Sequence, residues 1–228
     1  MSEPGEIKVP QADVATTRPG FFASKWNLFA VVSVLSLIAD QATKIWARGS
    51  LPVNPAGCTI PDDIVARRCG GVAKTVIDGF WEWRLSMNPG SAFGLFSSQT
   101  GARILLSVVG IAAVIGMIYM LRKSRPDQRI LHWALALVAG GAVGNLIDRM
   151  YYGVVTDFVL WRYKTHEWPV FNVADVVLVV GVGLMFIDIQ KENKREKGTK
   201  QDKKAKAAAK ANAAAKAKAQ GLVKDLRD

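Results

Sequence analysis

The sequence predicts an all-α membrane protein: four transmembrane helices, with a small β-hairpin in the extracytoplasmic loop between the first and second. Three observations lead there. Half of the 228 residues are apolar, yet the formal net charge is +11. That charge is confined to short blocks. Residues 191–228 hold 13 Lys/Arg against 5 Asp/Glu and residues 122–129 hold 4 against 1, while residues 1–25 and the remainder are each balanced. Between the blocks lie apolar runs close to the roughly 20 residues that span a ~30 Å hydrocarbon core. Basic residues sorted to one side of successive spans are the positive-inside bias. A soluble nucleic-acid binder would carry them on its folded body, so that class is set aside and no nucleic-acid partner is expected.

Residues 1–25 read as an unstructured cytoplasmic segment. The first helix, about 26–47, has a clean apolar half to Ala39, then Asp40, Gln41, Thr43 and Lys44. A cleaved leader is the competing reading, since Ala56-Gly57-Cys58 resembles the end of a lipoprotein signal. The apolar run stops at Ala39, however, and Asp40, Lys44 and Arg48 intervene, so the helix is retained. In the loop at about 49–101, Asp78-Gly79 separates two β-favouring runs within Thr75–Leu85, a hairpin signal. Cys58 and Cys69 fall in the same loop, where oxidation is permitted; a disulfide and two free thiols both remain open.

The second helix, about 102–121, is the cleanest, and the third, about 130–147, carries His132 near one end. The fourth, about 173–190, contains Asp175. Arg122, Lys123, Arg125 and Arg129 place the connection between helices two and three in the cytoplasm, and both termini with it. The two other loops then face outward, and both hold tryptophans suited to an interfacial belt (Trp81, Trp83, Trp161 and Trp168). Residues 191–228 are Lys- and Ala-rich with no apolar stripe to bury. They read as a solvated, partly helical tail or as one adhering to anionic lipid.

An ionisable group inside a span marks function by default. Asp40 and Lys44 share a helical face and can neutralise one another. Gly141, Asn145 and Arg149 recur every four residues, as do Gly144 and Asp148. That pattern fits either a tight helix seam or the wall of a site, and the Asn beside an Asp-Arg pair favours the wall. Asp157 and Asp175 each lie among apolar neighbours with no Lys or Arg within three residues. Two carboxyls brought together in a low-dielectric site cannot both ionise, so one becomes acid and the other base, as in aspartic proteases.

Other chemistries fit worse. No metal is expected, because His132 and His166 fall on opposite predicted sides and no H-E-x-x-H occurs. Gly90-Ser91 lacks the G-x-S-x-G elbow of a serine nucleophile. A proton-coupled transporter would also place acids in spans, but no inverted repeat is visible. A membrane scaffold would explain the glycines and leave the two isolated acids unexplained.

These residues together resemble the bacterial lipoprotein signal peptidase (signal peptidase II) family. The match runs through Asp40-x-x-x-Lys44, Asn88-Pro89-Gly90-Ser91-Ala92-Phe93-Gly94, Gly140 to Arg149, Val155-Thr156-Asp157-Phe158 and Phe171-Asn172-Val173-Ala174-Asp175, in the family's order, over roughly 26–190. The resemblance implies an aspartic intramembrane endopeptidase of the bacterial inner membrane, active near its outer face. Its substrates would be diacylglyceryl-modified prolipoproteins, cut just before the lipidated Cys. It implies no cofactor, and contact with prolipoprotein and membrane lipid by a monomer.

On matching positions Asp157 and Asp175 would be the catalytic pair. Asn88, Gly90, Asn145, Arg149 and Asn172 would line the site, with Asp40, Lys44 and Asp148 in support. A substrate helix would slide against Gly141 and Gly144. The asparagines would donate to the tetrahedral oxygen, and Arg149 would hold a carbonyl or lipid oxygen. The separation of Asp40 from Asn88 is longer than the family's usual, with both Cys in the excess, and Ser91 stands where Ala is usual.

Overall fold

The computed structural model describes residues 24–53, 71–90 and 99–225. Cys58, Cys69, Ser91 and the segment before Ser24 lie outside the described residues. Four helices long and apolar enough to cross a membrane are present: α1 (Lys25–Ser50), α2 (Gln99–Lys123), α3 (Arg129–Tyr151) and α4 (Val173–Asp225). Their outward faces carry Val34, Ile38, Ile115, Val179 and Phe186, all exposed as contact with hydrocarbon requires.

The central helix is α3, and α1, α2 and α4 each pack on it. Its glycines set how close they come. A Cβ on Gly140 would fall 2.7 Å from the Ser33 carbonyl oxygen of α1, and one on Gly141 2.7 Å from the Ala174 carbonyl oxygen of α4. One on Gly144 would fall 2.3 Å from Asp40 Oδ2. Small residues allow this approach between backbones. The expectation that a substrate helix slides along Gly141 and Gly144 is therefore corrected. Both face neighbouring helices of the same chain and have no free surface.

The protein is not all-α. Four strands form one antiparallel sheet in the order β1 (Lys74–Ile77), β2 (Trp81–Asn88), β3 (Val155–Tyr163) and β4 (His166–Glu167). The expected hairpin is β1–β2, turning at Asp78-Gly79 with Gly79 at φ +68°. The hairpin alone was anticipated. Its pairing with β3, the segment after α3, was not. Leu85 and Phe158 from the sheet pack on Ala47 and Leu51 at the end of α1. Trp46 meets Trp83 edge-on at 5.3 Å. These contacts seat the sheet on the helical bundle.

At the other end, Lys25 Nζ donates to the Ser124 carbonyl at 2.7 Å. Arg125 pairs with Glu192 at 2.7 Å, and Arg195 pairs with Asp127. The start of α1, the α2–α3 connection and the continuation of α4 thus share one end of the molecule, opposite the sheet. The Lys/Ala tail, read as partly helical, continues α4 unbroken to Asp225. Ala and Lys have high helix propensity, and a helix already nucleated by α4 extends without the cost of a new first turn.

Candidate active site

Asn172 precedes α4 and closes its first turn. Its Oδ1 accepts the Asp175 backbone N–H at 3.0 Å, while its own backbone N–H donates to Asp175 Oδ2 at 3.2 Å. This reciprocal pair is a capping box built from Asn and Asp. With Oδ1 occupied by a donor, the Asn172 amide nitrogen must face the other way. It donates to Asp157 Oδ1 at 2.6 Å and to Asn145 Oδ1 at 3.2 Å. One residue therefore holds Asp157 on one side and Asp175 on the other.

Asp157 arrives on β3, one strand from Asn88 of β2. The pairing runs Trp83↔Val159 and then Ser86↔Asp157, so β2 has one extra residue between these pairs, a bulge. Beyond it Asn88 Nδ2 donates to Asp157 Oδ2 at 2.9 Å. The Asn88 carbonyl oxygen is held by the Gly90 N–H at 2.8 Å, which fixes the amide's direction. Gly90 adopts φ +77°, and a Cβ there would lie 2.3 Å from Leu106 Cδ1 of α2. Only glycine enters that turn without strain.

Beneath the carboxyls lies a buried charged layer. Lys44 Nζ, fully buried, is 2.9 Å from Asp40 Oδ2, 3.4 Å from Asp148 Oδ2 and 2.8 Å from Asn145 Oδ1. An ammonium can only donate, so Asn145 must turn its oxygen to Lys44 and its amide nitrogen away. That nitrogen donates to Asp175 Oδ1 at 3.1 Å. Asp40 Oδ1 accepts the Ala174 N–H at 2.9 Å, tying α1 to the start of α4. Asp148 Oδ2 accepts the Thr156 N–H at 2.8 Å, fixing where β3 begins, one residue before Asp157.

All four oxygens of Asp157 and Asp175 thus accept a nitrogen donor from an asparagine. The Asp157 carboxyl is nevertheless pushed up to about 7, by burial first and by the neighbouring Asp175 charge second, against the lowering from Asn88 and Asn172. It can hold a proton near neutral pH, the state a general acid needs.

The expectation that the asparagines serve the tetrahedral oxygen is corrected for Asn172. Both hydrogens of its amide are committed to Asp157 and Asn145. Arg149 is better placed to donate. It is half-buried, and its single hydrogen bond among the described residues, to the Asn145 carbonyl, is long at 3.4 Å. Among the described residues no group of three or more His, Cys, Asp or Glu is suited to a metal ion.

Asp157, Asp175, Asn88, Gly90, Asn145, Arg149 and Asn172 come together at the junction of α3, α4 and the sheet. Asp40, Lys44 and Asp148 meet one layer below. Sequence reasoning missed Arg48, whose Nη1 donates to Thr156 Oγ1 at 2.8 Å and lies 3.5 Å from Asp148 Oδ1. It also missed Gln41, which donates to Asp40 Oδ2 and to the Gly144 carbonyl, each at 3.0 Å. The signal for Arg48 was available: Asp40, Lys44 and Arg48 form one stripe at four-residue spacing.

A profile of the family described as Signal peptidase (SPase) II matches residues 32–191. The chain is 35% identical over 171 residues to the lipoprotein signal peptidase of Geobacter metallireducens, covering 75% of this chain and 95% of that protein. It is 37% identical over 174 residues to that of Geobacter sulfurreducens, covering 75% and 96%. The Clostridium novyi lipoprotein signal peptidase is 32% identical over 165 residues, covering 72% and 98%. A solved bacterial membrane enzyme aligns with TM-score 0.56 and 27% identity, covering 72% of this chain and 88% of its own.

Proposed function

The chain belongs to the signal peptidase II family, proteases that remove signal peptides from prolipoproteins, and on that premise we propose that it is an intramembrane aspartic endopeptidase. It acts on diacylglyceryl-modified precursors and cuts immediately before the lipidated Cys. It works as a monomer in the bacterial inner membrane, with both termini in the cytoplasm and the site near the outer face. One observation carries the reading. Asp157 of β3 and Asp175 of α4 are held on either side of Asn172.

The chemistry follows from that placement. Asp175 takes a proton from a water, and the water oxygen bonds to the scissile carbonyl carbon. Asp157 polarises the carbonyl oxygen with its proton as the tetrahedral intermediate forms. Collapse breaks the carbon–nitrogen bond, and a proton returned from the pair goes to the leaving amine. Arg149, with most of its donors uncommitted among the described residues, holds the oxygen that gains charge. Asn88 and Gly90 cover the pair from the sheet, and Lys44, Asp40 and Asp148 fix its floor.

The direct test is cleavage of a lipid-modified precursor by the purified protein. Asp157→Asn and Asp175→Asn should each lower kcat by at least about a thousandfold, within the range that acid–base groups supply. Their melting temperatures should stay near that of the unsubstituted protein. Cleavage that survives either substitution refutes the assignment.

A further inference from the structure

Bordering Asp175 is an apolar groove of about 290 Å³. Its walls are Trp161, Trp168 and Phe171 from the β3–β4 end of the sheet, and its floor is Val176, Val179 and Val180 of α4. Two of the walls pack on neighbouring rings, and the third is tied to the sheet through its backbone. Trp161 stacks on Phe80 at 6.0 Å and meets Phe171 edge-on at 4.9 Å, and the Trp168 N–H donates to the Trp161 carbonyl at 2.8 Å. Apart from the Asp175 carboxyl at its rim, every lining residue is apolar or aromatic.

We propose that this groove receives one acyl chain of the lipid carried by the substrate's cysteine. The inference rests on the peptidase reading above and deepens it. The lipid hangs from the residue on the amine side of the scissile bond, so its first carbons must lie within a side chain's length of the pair. The groove is the apolar surface continuous with that point, because Asp175 belongs to both. Its floor runs down α4 from Asp175 to Val179, one turn or about 6 Å along the helix axis, on a surface facing hydrocarbon.

An extended hydrocarbon chain can lie along α4 from Asp175 past Val179, between the aromatic walls and the valines. Bulk lipid tails are as apolar as this lining, so the groove contributes by excluding misdirected chains and orienting the lipid, not by hydrophobic transfer.

The test compares two synthetic precursors that differ only in the diacylglyceryl group, dipalmitoyl against dibutyryl, with full-length protein in lipid nanodiscs. The butyryl chains are too short to pass Val179. Val179 is 73% exposed, so Val179→Trp fills the groove without disturbing the packed interior. It should raise the ratio of KM for dipalmitoyl to KM for dibutyryl about tenfold, equivalent to about 1.4 kcal/mol, leaving kcat for the two substrates in its original proportion.

Trp168→Ala, which removes a wall, should move the ratio in the same direction and serves if Val179→Trp does not fold. An unchanged ratio in both variants, as bulk lipid filling would give, overturns the proposal. So does an equal rise in KM for both substrates. If the unsubstituted protein cleaves neither precursor, the peptidase reading fails and the groove assignment with it. An active enzyme whose chain-length preference survives both substitutions sinks the groove alone.

Discussion

Lys44→Met removes the cation around which the floor of the site is built. In the structure Lys44 Nζ touches two buried carboxylates and an amide, at 2.9 Å from Asp40, 3.4 Å from Asp148 and 2.8 Å from Asn145. Methionine has nearly the same length and no charge, so the substitution deletes the charge with little change in volume. Asp148 keeps Arg48 at 3.5 Å, whereas among the described residues Asp40 is left with the Ala174 N–H and the Gln41 amide. Removing one partner of a buried ion pair typically costs about 3–5 kcal/mol, because the other charge stays buried. For a protein of this size that lowers the melting temperature by about 6–20 °C.

A second substitution separates this from simple loss of packing. Asp40→Asn keeps an oxygen for the Ala174 N–H and discards the stranded charge. The double variant Asp40→Asn/Lys44→Met should therefore be more stable than Lys44→Met alone, by at least about 1 kcal/mol of coupling. Activity should not follow stability back. Without the ammonium, nothing forces the Asn145 oxygen downward and its amide nitrogen toward Asp175, so kcat should stay depressed in the double variant. Thermal unfolding in detergent and precursor cleavage read the two effects. A Lys44→Met protein melting within about 2 °C of the original, less than 1 kcal/mol, would refute the reasoning. Additive destabilisation in the double variant would refute it too.

The remaining predictions are smaller. Asp157 holds its proton up to about pH 7, and the proposed mechanism requires it protonated, so cleavage should fall about tenfold per pH unit above that point; a flat profile between about pH 6 and 9 contradicts the role. Its folded-state value lies above the ordinary carboxylate value. The stability it contributes is thus complete below its ordinary carboxylate value and lost as pH rises from there through about 7, so the melting temperature should decline between about pH 4 and 7 and level off above that. Gly144→Ala places a Cβ 2.3 Å from Asp40 Oδ2 and should cost about 1–3 kcal/mol by overpacking, read as a lower melting temperature. Deleting residues 201–228 retains the Arg125–Glu192 and Asp127–Arg195 pairs and removes the end of α4, whose described side chains are exposed. Melting temperature and kcat/KM should both be unchanged.

What the sequence made legible and what it did not divide along a physical line. The spans were readable because apolar length is a local property, and the isolated acids because charge in hydrocarbon is conspicuous wherever it occurs. The Asn172–Asp175 capping box was readable in principle, since an N-cap residue followed three later by an acid is a helix-start signature. The third strand was not. Val155 to Phe158 are all buried, so β3 lacks the polar–apolar alternation that betrays a half-exposed strand. Its partner β2 lies some seventy residues earlier, beyond two helices, and no local pattern encodes that register.

The same limit explains why the sequence named the asparagines but not the direction each amide takes. Which way an amide points depends on what occupies its oxygen. Lys44 decides this for Asn145, Gly90 for Asn88 and the Asp175 N–H for Asn172. In each case the oxygen is taken by a group that can only donate, so the nitrogen must face a carboxyl. The three amides therefore all turn their nitrogens to Asp157 or Asp175. A layer of fixed donors under both carboxyls makes sense of the bulge in β2 as well. One extra residue there lets Asn88 reach Asp157 while Leu85 still packs against α1.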